Sequence, residues 1–205
     1  KYEDVSKLID VWIESEKDYQ DIPFISGVVV ENQKVLWSGA FGNANVEVPV
    51  PGNENTSSSI CSTTKVFTAT AIMKLVDEGK LNLDDKVKDI LPKYAIIQKF
   101  PEGGSVTVRS LLSHTSGLPR DTNHGYWAGP EHAFPTEDEL FESLSTQETE
   151  RSVGADMSYS NIGYALLGLI IEEVTGVTYK NYVEVNIFQP LDMSNSFVEM
   201  QSSLY

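Results

Sequence analysis

Ser62-Thr63-Thr64-Lys65-Val66-Phe67-Thr68-Ala69 opens the most regular stretch of this 205-residue chain, just after a polar segment over residues 43–58. Val66, Phe67, Ala69, Ala71, Ile72, Leu75 and Val76 recur at near-helical spacing, and Gly79 stands where such a helix would end. Residues three apart share a helical face, so the Ser62 hydroxyl and the Lys65 amine can approach each other. The first turn of a helix leaves backbone N–H groups without acceptors. The Ser62 N–H, so placed, can face the negative oxygen of a tetrahedral intermediate. A helix N-terminus and partial burial both disfavour an ammonium, the property a lysine needs to act as a base on a hydroxyl. Taken alone, the same residues also describe a Ser/Thr cap followed by a solvated lysine. Cys61 adjoins Ser62, but on a helix it points about 100° away. It is expected as a small buried packing residue.

Two further elements carry chemistry. Tyr159-Ser160-Asn161 precedes an apolar helix expected from about Ile162 to residue 175, with Gly176 behind it. In an extended tripeptide the first and third side chains point the same way, so Tyr159 and Asn161 can face one cleft. A phenol near an ammonium can shuttle a proton, and an amide can hold both substrate and lysine. Asn161 is equally suited to cap the helix, with Tyr159 packed beside it. His114-Thr115-Ser116-Gly117-Leu118-Pro119 follows a short helix containing Leu111 and Leu112. His114 is expected to fix a turn by hydrogen bonding, with a role as base towards Ser62 as the rival reading. Neither His124 nor His132 has ligand-like spacing with it.

Working outward, Val5, Leu8, Ile9 and Trp12 mark a first amphipathic helix. Apolar runs over about 23–30 and 34–41, separated by Asn32-Gln33, mark a hairpin. Residues 43–58 are expected as a surface connection. A short helix over 84–91 should stop at Pro92. Thr107 should cap the turn with Leu111, and Thr136 with Glu139 should form a capping box. A last helix over about 179–188 should end at Pro190. Residues 120–135, with Tyr126, Trp127, His132 and Phe134, are expected to form an aromatic wall near the cleft or a solvent-facing loop. A net charge of -15 opposes nucleic acid and anionic lipid surfaces. One cysteine excludes an internal disulfide framework or a multi-thiolate metal site. No stretch is long and apolar enough for a transmembrane segment.

Ser62-Thr63-Thr64-Lys65, His114 to Leu118 and Tyr159 to Gly163, in this order, resemble the beta-lactamase-related serine hydrolases. So do Phe67-Thr68-Ala69, Leu75 to Leu83, Gly163 to Gly176 and Phe188-Gln189-Pro190-Leu191. That superfamily includes class C beta-lactamases, D-alanyl-D-alanine carboxypeptidases, D-aminopeptidases and carboxylesterases. The resemblance implies an α/β (α+β) fold, an antiparallel sheet flanked by helices and joined to a mainly helical region. Residues 1–60 would start the sheet region, 61–190 would form the helical one, and 191–205 would begin the return to the sheet. The resemblance also implies that Ser62 is acylated, Lys65 is its partner, Tyr159 activates Ser62 and later a water, and Asn161 positions substrate. No metal or cofactor enters. Small peptides, esters or lactams would be substrates, with D-amino-acid peptides and esters ahead of beta-lactams, in a periplasmic or extracellular setting. A non-catalytic binding or regulatory protein of penicillin-binding shape is the alternative.

The family's third motif, a Lys- or His-led strand ending in Gly, has no match after Asn161. A two-stranded hairpin is also marginal without further partners. Both observations lead to the expectation that more polypeptide, in the same chain or a separate one, supplies further strands and a second oxyanion donor.

Overall fold

A computed structural model describes residues 2–123 and 135–199. Tyr126, Trp127, His132 and Phe134, expected as an aromatic wall, lie outside the described residues, as does His124. The chain divides into two compact units, Lys1–Ser59 and Ile60–Tyr205.

The first unit holds α1 (Tyr2–Tyr19), β1 (Phe24–Glu31), β2 (Lys34–Asn45) and β3 (Val50–Pro51). Asn32 and Gln33 have φ of 48° and 64°. Paired positive φ values twist a two-residue turn in the sense that antiparallel strands require. Glu31 thus pairs with Lys34, and Phe24 with Gly42. The connection expected over 43–58 contains a strand, because β3 pairs with Asn43 and Asn45 to give the sheet order β1-β2-β3. Trp37 is a buried hydrophobic residue of this unit, and its Nε1 donates to Asp10 Oδ1 of α1 at 2.8 Å. The apolar stripe of α1 is otherwise exposed at Val5, Leu8 and Trp12, as are Val28 and Val30 of β1.

The second unit is helical. After a 3-10 turn at Cys61–Thr63 come α2 (Thr64–Asp77), α3 (Val87–Ile90), α4 (Val108–Leu112) and α5 (Glu137–Ser145). Then follow α6 (Asn161–Thr175) and α7 (Tyr179–Val183). Its core packs Ile162, Leu166 and Ile170 of α6 with Ile72 and Leu75 of α2 and Leu111 of α4. Burial on this scale supplies the main favourable term for folding.

Local signals set the ends of these helices. Gly79, at φ 69°, closes α2: its N–H donates to Val76 O, and the Lys80 N–H reaches back to Leu75 O. Both bonds satisfy carbonyls that a helix end leaves orphaned. Thr107 with Ser110 and Thr136 with Glu139 form reciprocal capping boxes on α4 and α5. Gly176, left-handed at φ 70°, ends α6. Beyond α7 the chain continues as a π turn (Glu184–Phe188) and a 3-10 turn (Gln189–Leu191), so it changes pitch before Pro190 instead of stopping.

Candidate active site

Ser62 lies in the 3-10 turn that leads into α2, and its side chain is exposed. Lys65 follows one turn later, half-buried, with Nζ 3.4 Å from Ser62 Oγ. The three-residue spacing therefore brings hydroxyl and amine together. The Ser62 N–H sits in the first turn, where no preceding helical turn offers it a carbonyl.

Tyr159 and Asn161 reach the same lysine from the start of α6. Ser160 between them is extended at φ -129° and ψ 119°, which turns both neighbours to one side. Lys65 Nζ donates to Asn161 Oδ1 at 2.7 Å and stands 4.8 Å from the Tyr159 ring centroid. Hydrogen bonding to Lys65, then to Ser62, holds the Tyr159 phenol below its ordinary value, with the Lys65 and Arg120 charges acting in the same direction. A phenol so placed gives up its proton more readily than a solvated one.

Four side chains from two helix starts, nearly a hundred residues apart, thus meet at one amine. The family model described as Beta-lactamase matches residues 10–203. The chain belongs to the beta-lactamase family.

Relatives within and around this beta-lactamase family agree with the fold. Over 194 residues the chain is 32% identical to protein flp of Staphylococcus aureus (strain NCTC 8325 / PS 47), covering 94% of this chain and 38% of that protein. It therefore spans less than half the length of this curated relative. An octameric penicillin-binding protein homologue from Pyrococcus abyssi is 37% identical with a TM-score of 0.78, over 93% of this chain and 43% of that one. A beta-lactamase/D-alanine carboxypeptidase from Yersinia pestis, solved with citrate, is 25% identical with a TM-score of 0.80. That match covers 97% of this chain and 56% of its counterpart. The fold is mixed α/β with an antiparallel sheet and flanking helices, and membership of the family supports a serine-hydrolase-like mechanism.

For this beta-lactamase family chain one expectation needs correction, and one open alternative is set aside. Cys61 is exposed, not buried, because its backbone turns at φ 45° and leaves the helical geometry from which burial was inferred. The cap of α6 is Ser160, whose Oγ accepts from the Gly163 N–H at 3.1 Å, so Asn161 is left to face Lys65.

His114 serves the turn. Its Nδ1 accepts from the Ser160 N–H at 3.1 Å, and its carbonyl accepts from Ser158 at 2.7 Å. Its ring stacks on Tyr159 and Tyr164 at centroid distances of 4.5 and 5.0 Å. Gly117 completes the turn at φ 72°, where a Cβ would meet Arg151 O at 2.1 Å. The segment is thereby laced to the stretch that carries Tyr159.

Burial, and secondarily the charge of Lys65, push His114 below its ordinary value of 6.5. The folded state thus favours the neutral ring, whose Nδ1 must accept a hydrogen bond. The stability this contributes is present above the ordinary value and is lost as pH falls through the lower folded-state value. The melting temperature should therefore fall as pH drops below the ordinary value of 6.5, and fall less in His114→Asn, which tolerates the left-handed φ of 58°. Equal falls in both proteins would remove His114 from this account.

Sequence reasoning missed Arg120 and Asp121. Asn161 Nδ2 donates to Asp121 Oδ1 at 2.7 Å, and the Asn161 N–H donates to Arg120 O at the same distance. Arg120 Nε lies 3.4 Å from Asp121 Oδ2, and its guanidinium is 5.1 Å from the Tyr159 ring centroid. The only local signal was their place immediately after the His114 to Pro119 turn.

Proposed function

We propose that the protein is a serine hydrolase that cleaves amide or ester carbonyls through a covalent acyl-enzyme on Ser62. The observation that carries this reading is Lys65 Nζ, held by Asn161 Oδ1 at 2.7 Å and directed at Ser62 Oγ at 3.4 Å, beside Tyr159. In the first step Ser62 Oγ bonds to the substrate carbonyl carbon while its proton passes to the Lys65–Tyr159 pair. An amine and a phenol this close can share the transferred proton. The carbonyl oxygen becomes negative and is met by the Ser62 N–H. Collapse breaks the bond to the leaving amine or alkoxide, which takes the proton from Tyr159. Water then adds to the acyl carbon, its proton going to the same pair, and Ser62 leaves with a proton restored.

D-amino-acid peptides and carboxylic esters are the proposed substrates, ahead of beta-lactams. Relatives with carboxypeptidase and beta-lactamase names support the breadth of this class, and the acylation groups are common to all three. We place the reaction in a periplasmic or extracellular setting on the same resemblance.

Hydrolysis of an activated ester should show a burst of leaving group followed by slower turnover. In Tyr159→Phe the ring that stacks on His114 is kept while the proton carrier is lost, so acylation should slow by about 10²-fold or more with KM little changed. A Phe variant with an undiminished burst would take Tyr159 out of proton transfer. Binding without any burst would favour a non-catalytic protein of this fold.

A further inference from the structure

We infer that Asp121 is a positioning residue that keeps the Asn161 amide in one orientation while Lys65 gains and loses its proton. This rests on the hydrolase reading given above. Asn161 lies between two charged groups: Lys65 Nζ donates to its Oδ1 at 2.7 Å, and its Nδ2 donates to Asp121 Oδ1 at 2.7 Å. An ionised carboxylate can only accept hydrogen bonds, and an ammonium can only donate them. Rotating the amide by half a turn would set NH2 against ammonium and oxygen against carboxylate.

While Lys65 is protonated, it enforces this orientation unaided. The case changes when the proton leaves. A neutral amine has a lone pair and could accept from the Asn161 NH2 if the amide turned. At 2.7 Å against 3.4 Å, asparagine would hold that lone pair more closely than Ser62 does. Asp121 opposes the turn because it would face the amide oxygen with its own. The lone pair therefore stays available to Ser62 at the stage where a base is required.

The carboxylate is itself held in place. The Asp121 carbonyl accepts from Gln147 Nε2 at 3.2 Å, and Arg120 Nε lies 3.4 Å from Asp121 Oδ2. The Asn161 N–H and the Ser160 hydroxyl fasten to the carbonyls of Arg120 and Pro119, each at 2.7 Å. Among the described residues, the ionisable groups around Lys65 include Tyr159 and Tyr164, with ring centroids 4.8 and 5.6 Å from Nζ, His114, stacked on both rings, and Arg120, 5.1 Å from the Tyr159 centroid.

Asp121→Asn and Asp121→Glu separate this role from simple structural support. Asparagine can turn its own NH2 towards Asn161 and so permits the flip, whereas glutamate still only accepts. Ester acylation in Asp121→Asn should fall about tenfold to a hundredfold, as for other residues that orient reactive groups. KM should be little changed, the loss should be greatest at alkaline pH, and Asp121→Glu should recover part of it. The side-chain amide signals of Asn161, assigned through their disappearance in Asn161→Asp, supply a readout that needs no turnover. They should hold steady in the wild-type protein as the pH is raised and move in Asp121→Asn. Asp121→Asn kinetics equal to wild type at every pH, or unmoved amide signals in that variant, would overturn the inference. Loss of Ser62-dependent acylation in the wild type would instead overturn the hydrolase reading, with the amide signals still reporting on Asp121.

Discussion

Ser62→Ala should lower turnover of an activated ester by at least about 10³-fold while the protein keeps its cooperative melting. The attacking oxygen is the one atom for which nothing nearby can substitute. The neighbouring Thr63 is in the same 3-10 turn, yet it is the Ser62 hydroxyl that lies 3.4 Å from Lys65 Nζ. Cys61, the first residue of that turn, has its backbone at φ 45° instead of the helical value. The structural cost should be small, because Ser62 is exposed and surface substitutions usually change stability by less than about 0.5 kcal/mol. Full-length protein bearing Ser62→Ala, assayed beside wild type for burst amplitude and for melting, checks both halves. A burst of wild-type size would sink the nucleophile assignment.

Lys65→Arg is the second large effect, and the more informative of the two lysine variants. Alanine removes both charge and hydrogen bonds, so its loss of activity would not say which mattered. Arginine keeps the charge and can still donate to Asn161, but it does not release its proton in a protein. Its planar fork also cannot copy the compact contacts of an ammonium held 2.7 Å from one oxygen and 3.4 Å from another. If Lys65 takes part in proton transfer, arginine should cost about 10²–10⁴-fold in acylation, close to the cost of alanine. An arginine variant with most of the wild-type rate would reduce Lys65 to an electrostatic partner of Tyr159.

What was legible in the sequence was what neighbouring residues decide among themselves. Thr107 and Thr136 announce their capping boxes three residues ahead of the partner side chain, and Gly79 and Gly176 sit where only a left-handed residue ends a helix well. Ser62 and Lys65 meet for the same reason, since one helical turn joins them. The choice of cap on α6 was not legible, because Ser160 and Asn161 are both good caps. It is decided from a distance: the Ser160 N–H goes to His114 Nδ1 and its hydroxyl to Pro119 O, at 3.1 and 2.7 Å.

Asp121 escaped notice for a related reason. Forty residues separate it from Asn161, and the bond between the Asn161 N–H and Arg120 O that aligns them is a tertiary event. The two-residue strand β3 is too short to show a period, and Pro51 within it reads as a loop residue. Exposed Val28 and Val30 mark a further limit, because alternation along a strand tells which residues share a face and not which face is covered.

The central claim is a covalent bond at one serine, and peptide mapping by mass spectrometry after brief exposure to a fluorophosphonate or a penicillin tests it most directly. The account predicts a single adduct on the peptide that carries Ser62, formed equally in the presence of a metal chelator and absent from Ser62→Ala. An adduct on Ser116 or Cys61, or labelling that requires zinc, would contradict it.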